Sequence, residues 1–280
     1  MPLIDDTFRE DLEFNLQMAE ARLDSVRIDI EGWEDEYLIP LDIRQEGDSV
    51  VYLAGETPKP PRYLSGLLSE ALHHLTLGFE HLAWRLVGEE ARSNPKIAYK
   101  IAMPTVITSD EWGGALHNKL PGMKEIYQSA VRSIQPFERA KIAGAPPEQL
   151  DTVVLRDLDS AAKHRGHHLL DAYMSKGIYL DIVNPLTVPR RGLPFSQRGL
   201  GQVIAGDELM RAPGLRLDDD IYIAPPCFRI LVRSSGNMRA YSGPALFGMP
   251  FEQITRLVPD LRHTLETLIE GIDRADRNAA

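Results

Sequence analysis

Histidine and acidic side chains recur at helical spacing in two separate stretches of the sequence. On a helix, steps of three and four residues bring side chains to one stripe. The first stripe consists of Glu70, His74, Leu77, His81 and Trp84. The second consists of His164, His168 and Asp171. Paired helices can hold a metal ion from such positions, with the imidazoles as ligands or proton carriers. The same spacing also suits a stripe that packs on a second layer of the protein, or histidines scattered on the surface.

Established metal-binding motifs are incomplete in these stretches. The sequence contains no HExxH motif, and Glu70 with His73 supplies only one half of a paired ExxH motif. We therefore assign no metal ligands and expect no cofactor.

Basic residues close the second stretch. Arg165 falls on the apolar arc of its predicted helix, where a buried guanidinium needs an anionic partner such as Glu70 or Glu80. Lys163, His164 and Arg165 could instead bind a phosphate together. Lys163 and Arg165 are accordingly the candidate cofactor- or ligand-binding residues.

The composition restricts the classes of function. The chain has 280 residues, of which 43% are hydrophobic, enough to bury a sizeable core. Its net charge of −10 repels phosphate, so a nucleic acid would have to meet a local basic patch such as the arginine-rich loop at residues 184–199. That loop is either solvated or an anion or RNA contact.

The single cysteine and the apolar pattern indicate the compartment. Cys227, the only cysteine, excludes an intrachain disulfide and a thiolate metal cluster, and it favours the cytoplasm. The acidic N-terminal stretch and the lack of a long apolar run predict neither secretion nor a membrane span.

Periodicity predicts the elements that position these residues. Helices are predicted at residues 5–30, 63–88, 108–119, 121–134, 147–173 and 250–273. Strands are predicted at residues 37–44, 50–54, 96–107, 178–183, 201–206, 220–224 and 228–233. The first two strands form a hairpin around a Glu-Gly-Asp turn, and the helix at residues 63–88 has a broad apolar arc that faces the core.

These elements predict an α+β protein, mainly a helical layer with a small, mostly antiparallel β-sheet. We expect one interwoven domain over residues 1–280, because the last helix needs an apolar surface that the N-terminal helices best supply. Within it, residues 1–176 form a helical part with a β-hairpin, residues 177–248 a β-rich insertion, and residues 249–280 the C-terminal helix.

Three motifs resemble a widespread bacterial family of uncharacterised proteins. They are HHLTLGFEHLAWRLV at residues 73–87, SIQPF at residues 133–137 and LRDLDSAAKHR at residues 155–165. In that family an LHNLRSALDHL-like helix is followed by an IQPY-like segment and a DKHR-like motif, in the same order and at similar spacing. The family's first motif itself resembles the Arg-x4–6-His signature of HEPN-type helical domains. Many of those are metal-independent ribonucleases or nucleotide-binding modules of toxin and defence systems.

The resemblance implies a ribonuclease site that is degenerate in this chain. The family's histidine falls on His81 and its acidic neighbour on Glu80, but its arginine falls on Thr76. A ribonuclease without that cation would lack a stabiliser of the transition state. Arg85 or Arg165 would have to replace it from elsewhere in the fold.

The DKHR-like motif matches at three of its four positions. Lys163, His164 and Arg165 agree with the family, whereas the aspartate falls on Ala162. The joint loss of one basic and one acidic position indicates that the two pair in relatives, so this chain has lost a salt bridge. The resemblance makes the candidate catalytic residues His81, Glu80, Arg165 and His164.

We therefore expect an intracellular HEPN-like protein of a defence or stress system that binds a nucleotide, RNA or a partner. A homodimer through helices is the oligomer that the resemblance implies. Two alternatives remain open: a histidine-dependent metal-binding enzyme, and a purely structural or oligomeric interaction protein.

Overall fold

Helices supply most of the regular structure. This computed structural model describes residues 3–36, 41–56, 59–165, 169–176, 179–182, 196–197, 201–202, 205–217, 221–224, 227–233 and 249–279. Its helices are α1 (Asp6–Glu36), α2 (Arg62–Leu86), α3 (Glu89–Ser93), α4 (Pro95–Ala98), α5 (Trp112–Lys119), α6 (Glu125–Ser133), α7 (Pro136–Ala143), α8 (Asp151–Arg165), α9 (Phe251–Thr255) and α10 (Leu257–Ala279). Within these ranges, no helix combines the length and the apolarity needed to cross a bilayer.

Antiparallel strands supply the rest. They are β1 (Leu41–Glu46), β2 (Ser49–Ala54), β3 (Leu169–Lys176), β4 (Tyr179–Ile182), β5 (Ser196–Gln197), β6 (Gly201–Gln202), β7 (Glu208–Pro213), β8 (Ile221–Ala224), β9 (Cys227–Arg233) and β10 (Met249–Pro250). The sheet orders are β1-β2-β7-β5, β10-β9-β3-β6 and β4-β8. Every described pairing is antiparallel. The predicted α+β class, mainly helical with small antiparallel sheets, is confirmed.

The long helices α1 and α2 pack antiparallel and form the framework of the core. Arg85, near the end of α2, pairs with Asp5, just before α1, at 2.6 Å. At the other end, the Tyr63 hydroxyl donates to Asp29 at 3.0 Å. The predicted apolar arc of α2 is buried apart from the half-buried Leu67, so the prediction of a core-facing helix is confirmed.

Two predicted helix boundaries are corrected by the structure. The helix α1 extends past residue 30 because Trp33 continues its buried stripe. The last predicted helix is divided at Arg256 into α9 and α10. The buried face of α10 joins the same core cluster as α1 and α2, as the apolar spacing over residues 250–273 indicated.

The predicted strand at residues 96–107 is wrong. Pro95 opens the short helix α4, where its missing N–H is not needed. The Asn94 side chain caps this helix by accepting from the backbone N–H of Lys96 at 3.0 Å. These local helix-start signals outweigh the β-propensity of the run, and residues 101–106 carry no strand.

The predicted helix at residues 147–173 is also wrong from Leu169 onward. It begins only at Asp151 and is followed by β3, which pairs with β9. Asp171 therefore lies on a strand, opposite Leu231, and does not continue a helical stripe with His164. Backbone pairing with a strand far away in the sequence outweighs the local helical pattern here.

The hairpin is confirmed, with shifted bounds. β1 and β2 pair from Leu41 with Ala54 to Glu46 with Ser49, and Gly47 takes a positive φ of 62° in the turn. The other edge of β2 pairs with β7, which the sequence pattern did not predict. Of the strand predicted at residues 201–206, the first two residues form the short strand β6 and residues 205–206 lie in a turn.

Gly271 marks a close approach between α10 and α6. A Cβ built at this position would lie 2.8 Å from the Cβ of Ala130 and 3.5 Å from its Cα, atoms that no rotamer change can move. We expect Gly271→Ala to lower the free energy of unfolding by about 1–2 kcal/mol, since overpacking outweighs the helix-propensity gain of alanine. Urea denaturation measures the change.

The matched control is Gly66→Ala on α2. A Cβ at Gly66 meets nothing within 4 Å. This variant should gain about 0.5–1 kcal/mol from helix propensity alone. A Gly271→Ala variant that gains as much would contradict the close packing of α6 on α10.

Candidate functional site

A cleft of about 230 Å³ separates α2 from α8, and we call it the α2–α8 cleft. One wall comes from α2, the opposite wall from α8, and the end wall from residues 102–105 with the start of α7. Its lining residues are Thr76, Phe79, Glu80, Ala102, Met103, Pro104, Thr105, Ile134, Pro136, Thr152, Leu155, Arg156, Asp159, Ser160 and Lys163.

All three sequence motifs contribute to this cleft. The motif at residues 73–87 supplies Thr76, Phe79 and Glu80, and the SIQPF motif supplies Ile134 and Pro136. The motif at residues 155–165 supplies the α8 wall from Leu155 to Lys163. Segments up to 87 positions apart in the sequence, from Thr76 to Lys163, therefore meet at one place.

Gln135 holds the end wall in position. Its side chain is fully buried, and its Oε1 accepts from the backbone N–H of Val106 at 3.1 Å. Its Nε2 donates to the carbonyl of Val131 on α6 at 3.0 Å. The backbone N–H of Phe137 donates to the Val106 carbonyl at 3.4 Å. The glutamine and the residue after the proline thus tie segment 102–106 to α6 and α7 on both sides of Val106.

Charged groups line the polar side of the cleft. The Lys163 Nζ lies 2.7 Å from Asp159 Oδ2 and 3.5 Å from Glu80 Oε1. Burial acts to lower the pKa of Lys163, but the hydrogen bond and charge of Asp159, together with Glu80, outweigh it and raise the pKa. Lys163 therefore stays cationic and links α8 to α2.

Arg156 of α8 reaches the end wall of the cleft. Its Nη1 donates to the carbonyl of Thr105 at 3.0 Å, and its Nη2 pairs with Asp157 Oδ1 at 2.7 Å. This guanidinium connects the exposed edge of α8 with segment 102–106.

Two buried polar atoms of the α8 wall accept or donate no hydrogen bond within the described chain. They are Asp159 Oδ1 and Thr152 Oγ1. The Asp159 side chain is only 7% exposed, and the Nδ1 of His73 is 3.7 Å from its Oδ1, beyond hydrogen-bond length. A buried acceptor without a donor costs about 1–3 kcal/mol. Both residues line the cleft, so a ligand there could supply the missing partners.

The structure brings together only part of the predicted site. Glu80 and Lys163 both line the cleft and lie 3.5 Å apart, a contact that the sequence analysis did not predict. His81 is exposed and does not line the cleft. His164 and Arg165 form the last turn of α8, and their side chains lie outside the described structure.

Glu70 and Glu80, the partners predicted for Arg165, each have another partner in the described structure. Glu70 pairs with Arg22 of α1 at 3.0 Å, and Glu80 pairs with Lys163. The side chain of Arg165 itself lies outside the described structure.

His74 is the member of the first histidine stripe that packs against Asn15 of α1, whereas His81 and Trp84 of the same stripe are exposed. Its Nδ1 lies 3.1 Å from Asn15 Oδ1. Burial, then the charges of His73 and Arg22, lowers the pKa of His74, while Glu70 opposes this shift. His74 is therefore neutral at pH 7, and the packing interpretation holds for it.

The two-helix metal site that the histidine spacing left open is not tested, because the side chains of His164 and Asp171 lie outside the described structure. Among the described residues, no three histidine, cysteine, aspartate or glutamate side chains lie close enough to hold an ion. Most of the arginine-rich loop at residues 184–199 and His168 lie outside the described residues.

Sequence reasoning missed Asp159 and Thr152. The available signal was a carboxylate beside the apolar positions Leu155 and Leu158 of the same helix. A charged residue on a buried face needs a partner or a function.

No family model, no curated protein and no solved structure matches the chain. The geometry of the α2–α8 cleft is therefore the basis on which a function can be assigned.

Proposed function

We propose that the protein binds a nucleotide in the α2–α8 cleft, encloses its nucleoside part and does not cleave RNA. One observation carries the proposal: three motif segments converge on a cleft that has apolar walls and a polar side with unpartnered buried atoms. Phe79, Ile134 and Leu155 supply apolar surface for the faces of a base. The polar groups of α8 then fix its orientation, as in most small-molecule sites.

The size and charge of the cleft favour a single nucleotide over an RNA strand. Its volume of about 230 Å³ lies below the range of drug-sized pockets, which suits a ligand of nucleoside size. The charges of Glu80 and Asp159 balance those of Arg156 and Lys163. A neutral lining in a chain of net charge −10 gives little attraction for a polyanion.

The geometry around Thr76 and His81 supports a degenerate nuclease site of the HEPN-like kind. Thr76, at the place of the family's arginine, donates its hydroxyl to the Leu72 carbonyl at 3.0 Å and brings no charge to the cleft. His81 is exposed and outside the cleft. The two groups that the resemblance requires for cleavage are thus not assembled. A role in a defence or stress system is part of the same proposal.

Isothermal titration with the four nucleoside 5′-monophosphates tests the proposal. At about 0.3 kcal/mol per non-hydrogen atom, a nucleoside of roughly 20 such atoms binds with a Kd on the order of 10–100 μM. We expect at least one monophosphate to bind in this range. A fluorescent single-stranded RNA should stay intact during long incubation.

Ser160→Phe is the site-directed test, because the exposed Ser160 lines the cleft and a phenylalanine there fills it. Binding should weaken at least about tenfold. The matched control is Ser25→Phe on the exposed face of α1, which should bind as the wild type does. Absence of binding by all four monophosphates, or equal binding by both variants, would refute the assignment to this cleft.

A further inference from the structure

The unpartnered atoms of α8 define what a ligand in the α2–α8 cleft must offer. Asp159 Oδ1 is an acceptor that needs a donor from the ligand. Its neighbour Oδ2 is occupied by Lys163 Nζ at 2.7 Å, so an acceptor and a donor stand side by side. A ligand edge that complements this pair carries an N–H donor next to an acceptor atom.

The four RNA bases differ on this point. Guanine presents two adjacent N–H donors, at N1 and N2, followed by the acceptor O6. Adenine and cytosine offer Asp159 one amino donor, beside a ring nitrogen that can accept from Lys163, so each makes one hydrogen bond fewer than guanine. Uracil has a single N–H between two acceptors. Of the four, guanine supplies Asp159 with donors from two adjacent positions and still offers an oxygen to Lys163.

The second unpartnered atom indicates the length of the ligand. Thr152 and Asp159 are seven residues apart on α8. Seven residues correspond to about 10 Å along the helix axis. A base alone is too short to satisfy both, whereas a nucleoside carries ribose hydroxyls beyond the base.

We infer that the α2–α8 cleft selects a guanine nucleoside. Asp159 accepts from the N1–H and N2–H edge, Lys163 donates to O6, and Thr152 bonds a ribose hydroxyl. The inference rests on the proposed function and goes further, because it assigns base selectivity to Asp159 and ribose recognition to Thr152. Both residues are nine-tenths buried and line the cleft.

Titration with the 5′-monophosphates of guanosine, inosine, 1-methylguanosine and adenosine tests the base selectivity. Inosine lacks the 2-amino donor and 1-methylguanosine lacks the N1–H donor. We expect the guanosine compound to bind at least about tenfold more tightly than the adenosine compound, with the two analogues in between or weaker. These ligands test the wild-type protein, so the result does not depend on the folding of a variant.

Two variants separate the roles of the residues. Asp159→Asn keeps the side-chain size but removes the charge and one acceptor, so the preference for guanosine over adenosine monophosphate should disappear. Thr152→Val keeps the shape and removes the hydroxyl, so both nucleotides should weaken by a similar factor while their ratio is unchanged. Circular dichroism shows whether each variant is folded.

The outcomes distinguish this inference from the proposed function. Equal affinity for guanosine and adenosine monophosphates would overturn guanine selectivity and leave nucleotide binding intact. Binding of none of the nucleotides would overturn both. A preference for guanosine that survives in a folded Asp159→Asn variant would remove Asp159 from the site.

Discussion

Replacing Gln135 with leucine is expected to lower the free energy of unfolding by about 2–4 kcal/mol and to abolish binding in the α2–α8 cleft. Leucine is similar in size but leaves the buried N–H of Val106 without its acceptor and the Val131 carbonyl without the Gln135 amide. Each buried group that loses its partner costs about 1–3 kcal/mol. Segment 102–106 then loses its tie to α6, and the cleft loses its end wall.

Urea denaturation measures the loss of stability, and hydrogen exchange at the Val106 amide reports whether the end wall has detached. The matched control is Gln149→Leu, because Gln149 is exposed. An exposed substitution of this kind changes stability by less than about 0.5 kcal/mol. If Gln135→Leu proved as mild as the control, the anchoring role of Gln135 would be excluded.

The second large effect is expected for Arg139→Met, at about 2–3 kcal/mol of stability at pH 7. The Arg139 Nη1 contacts Asp151 Oδ2 at 3.0 Å and donates to Thr264 Oγ1 at 2.6 Å, so it joins α7 to α8 and α10. The Asp151 side chain is only 10% exposed and would lose this cation. Because Arg139 itself is a quarter exposed, we expect less than the full cost of breaking a buried pair.

This loss should depend on pH in a defined direction. Partial burial, then the charge of Asp151, raises the pKa of Asp260, and Arg139 opposes this shift. Removing Arg139 should raise that pKa further, so the folded variant binds protons more strongly than the unfolded chain. The loss of stability is then fully present above the pKa of Asp260 in the folded variant. It shrinks as the pH falls towards the pKa of Asp260 in the unfolded chain.

Urea denaturation of wild type and variant at pH 7 and pH 4.5 measures this difference. The double variant Arg139→Met with Asp151→Asn removes the carboxylate charge as well and should recover a large part of the loss. A loss of stability that is the same at both pH values would contradict the role of Asp260. A double variant no more stable than the single one would show that the charge of Asp151 is not what Arg139 compensates.

Local patterns were sufficient for the elements whose structure depends on nearby residues. The apolar arc of α2 follows from the 3.6-residue helical repeat, and each arc position is found in or against the core. The β1–β2 hairpin follows from alternation around Gly47, whose positive φ suits the turn. Both can be read from short windows because their interactions are local.

Pairing between segments far apart in the sequence determined the strands that local patterns did not predict. β7 forms on the free edge of β2, and β3 forms against β9 directly after α8. The predicted helix through residue 173 failed because its continuation found a strand partner more than fifty positions away. The division of the chain into a helical part and a β-rich insertion remains a prediction.

The sequence by itself singled out the three motifs, with Glu80 and Lys163 among their residues, as a prediction. Only the tertiary structure decided which of their residues face the cleft. Glu80 and His81 are neighbours in the sequence, but successive side chains on a helix point about 100° apart, so Glu80 meets Lys163 while His81 is exposed. Asp159 is a candidate because its carboxylate is buried in the tertiary structure, near His73 of α2 and Lys163 of α8. Burial of a polar atom depends on what the rest of the chain places over it, and no local pattern contains that information.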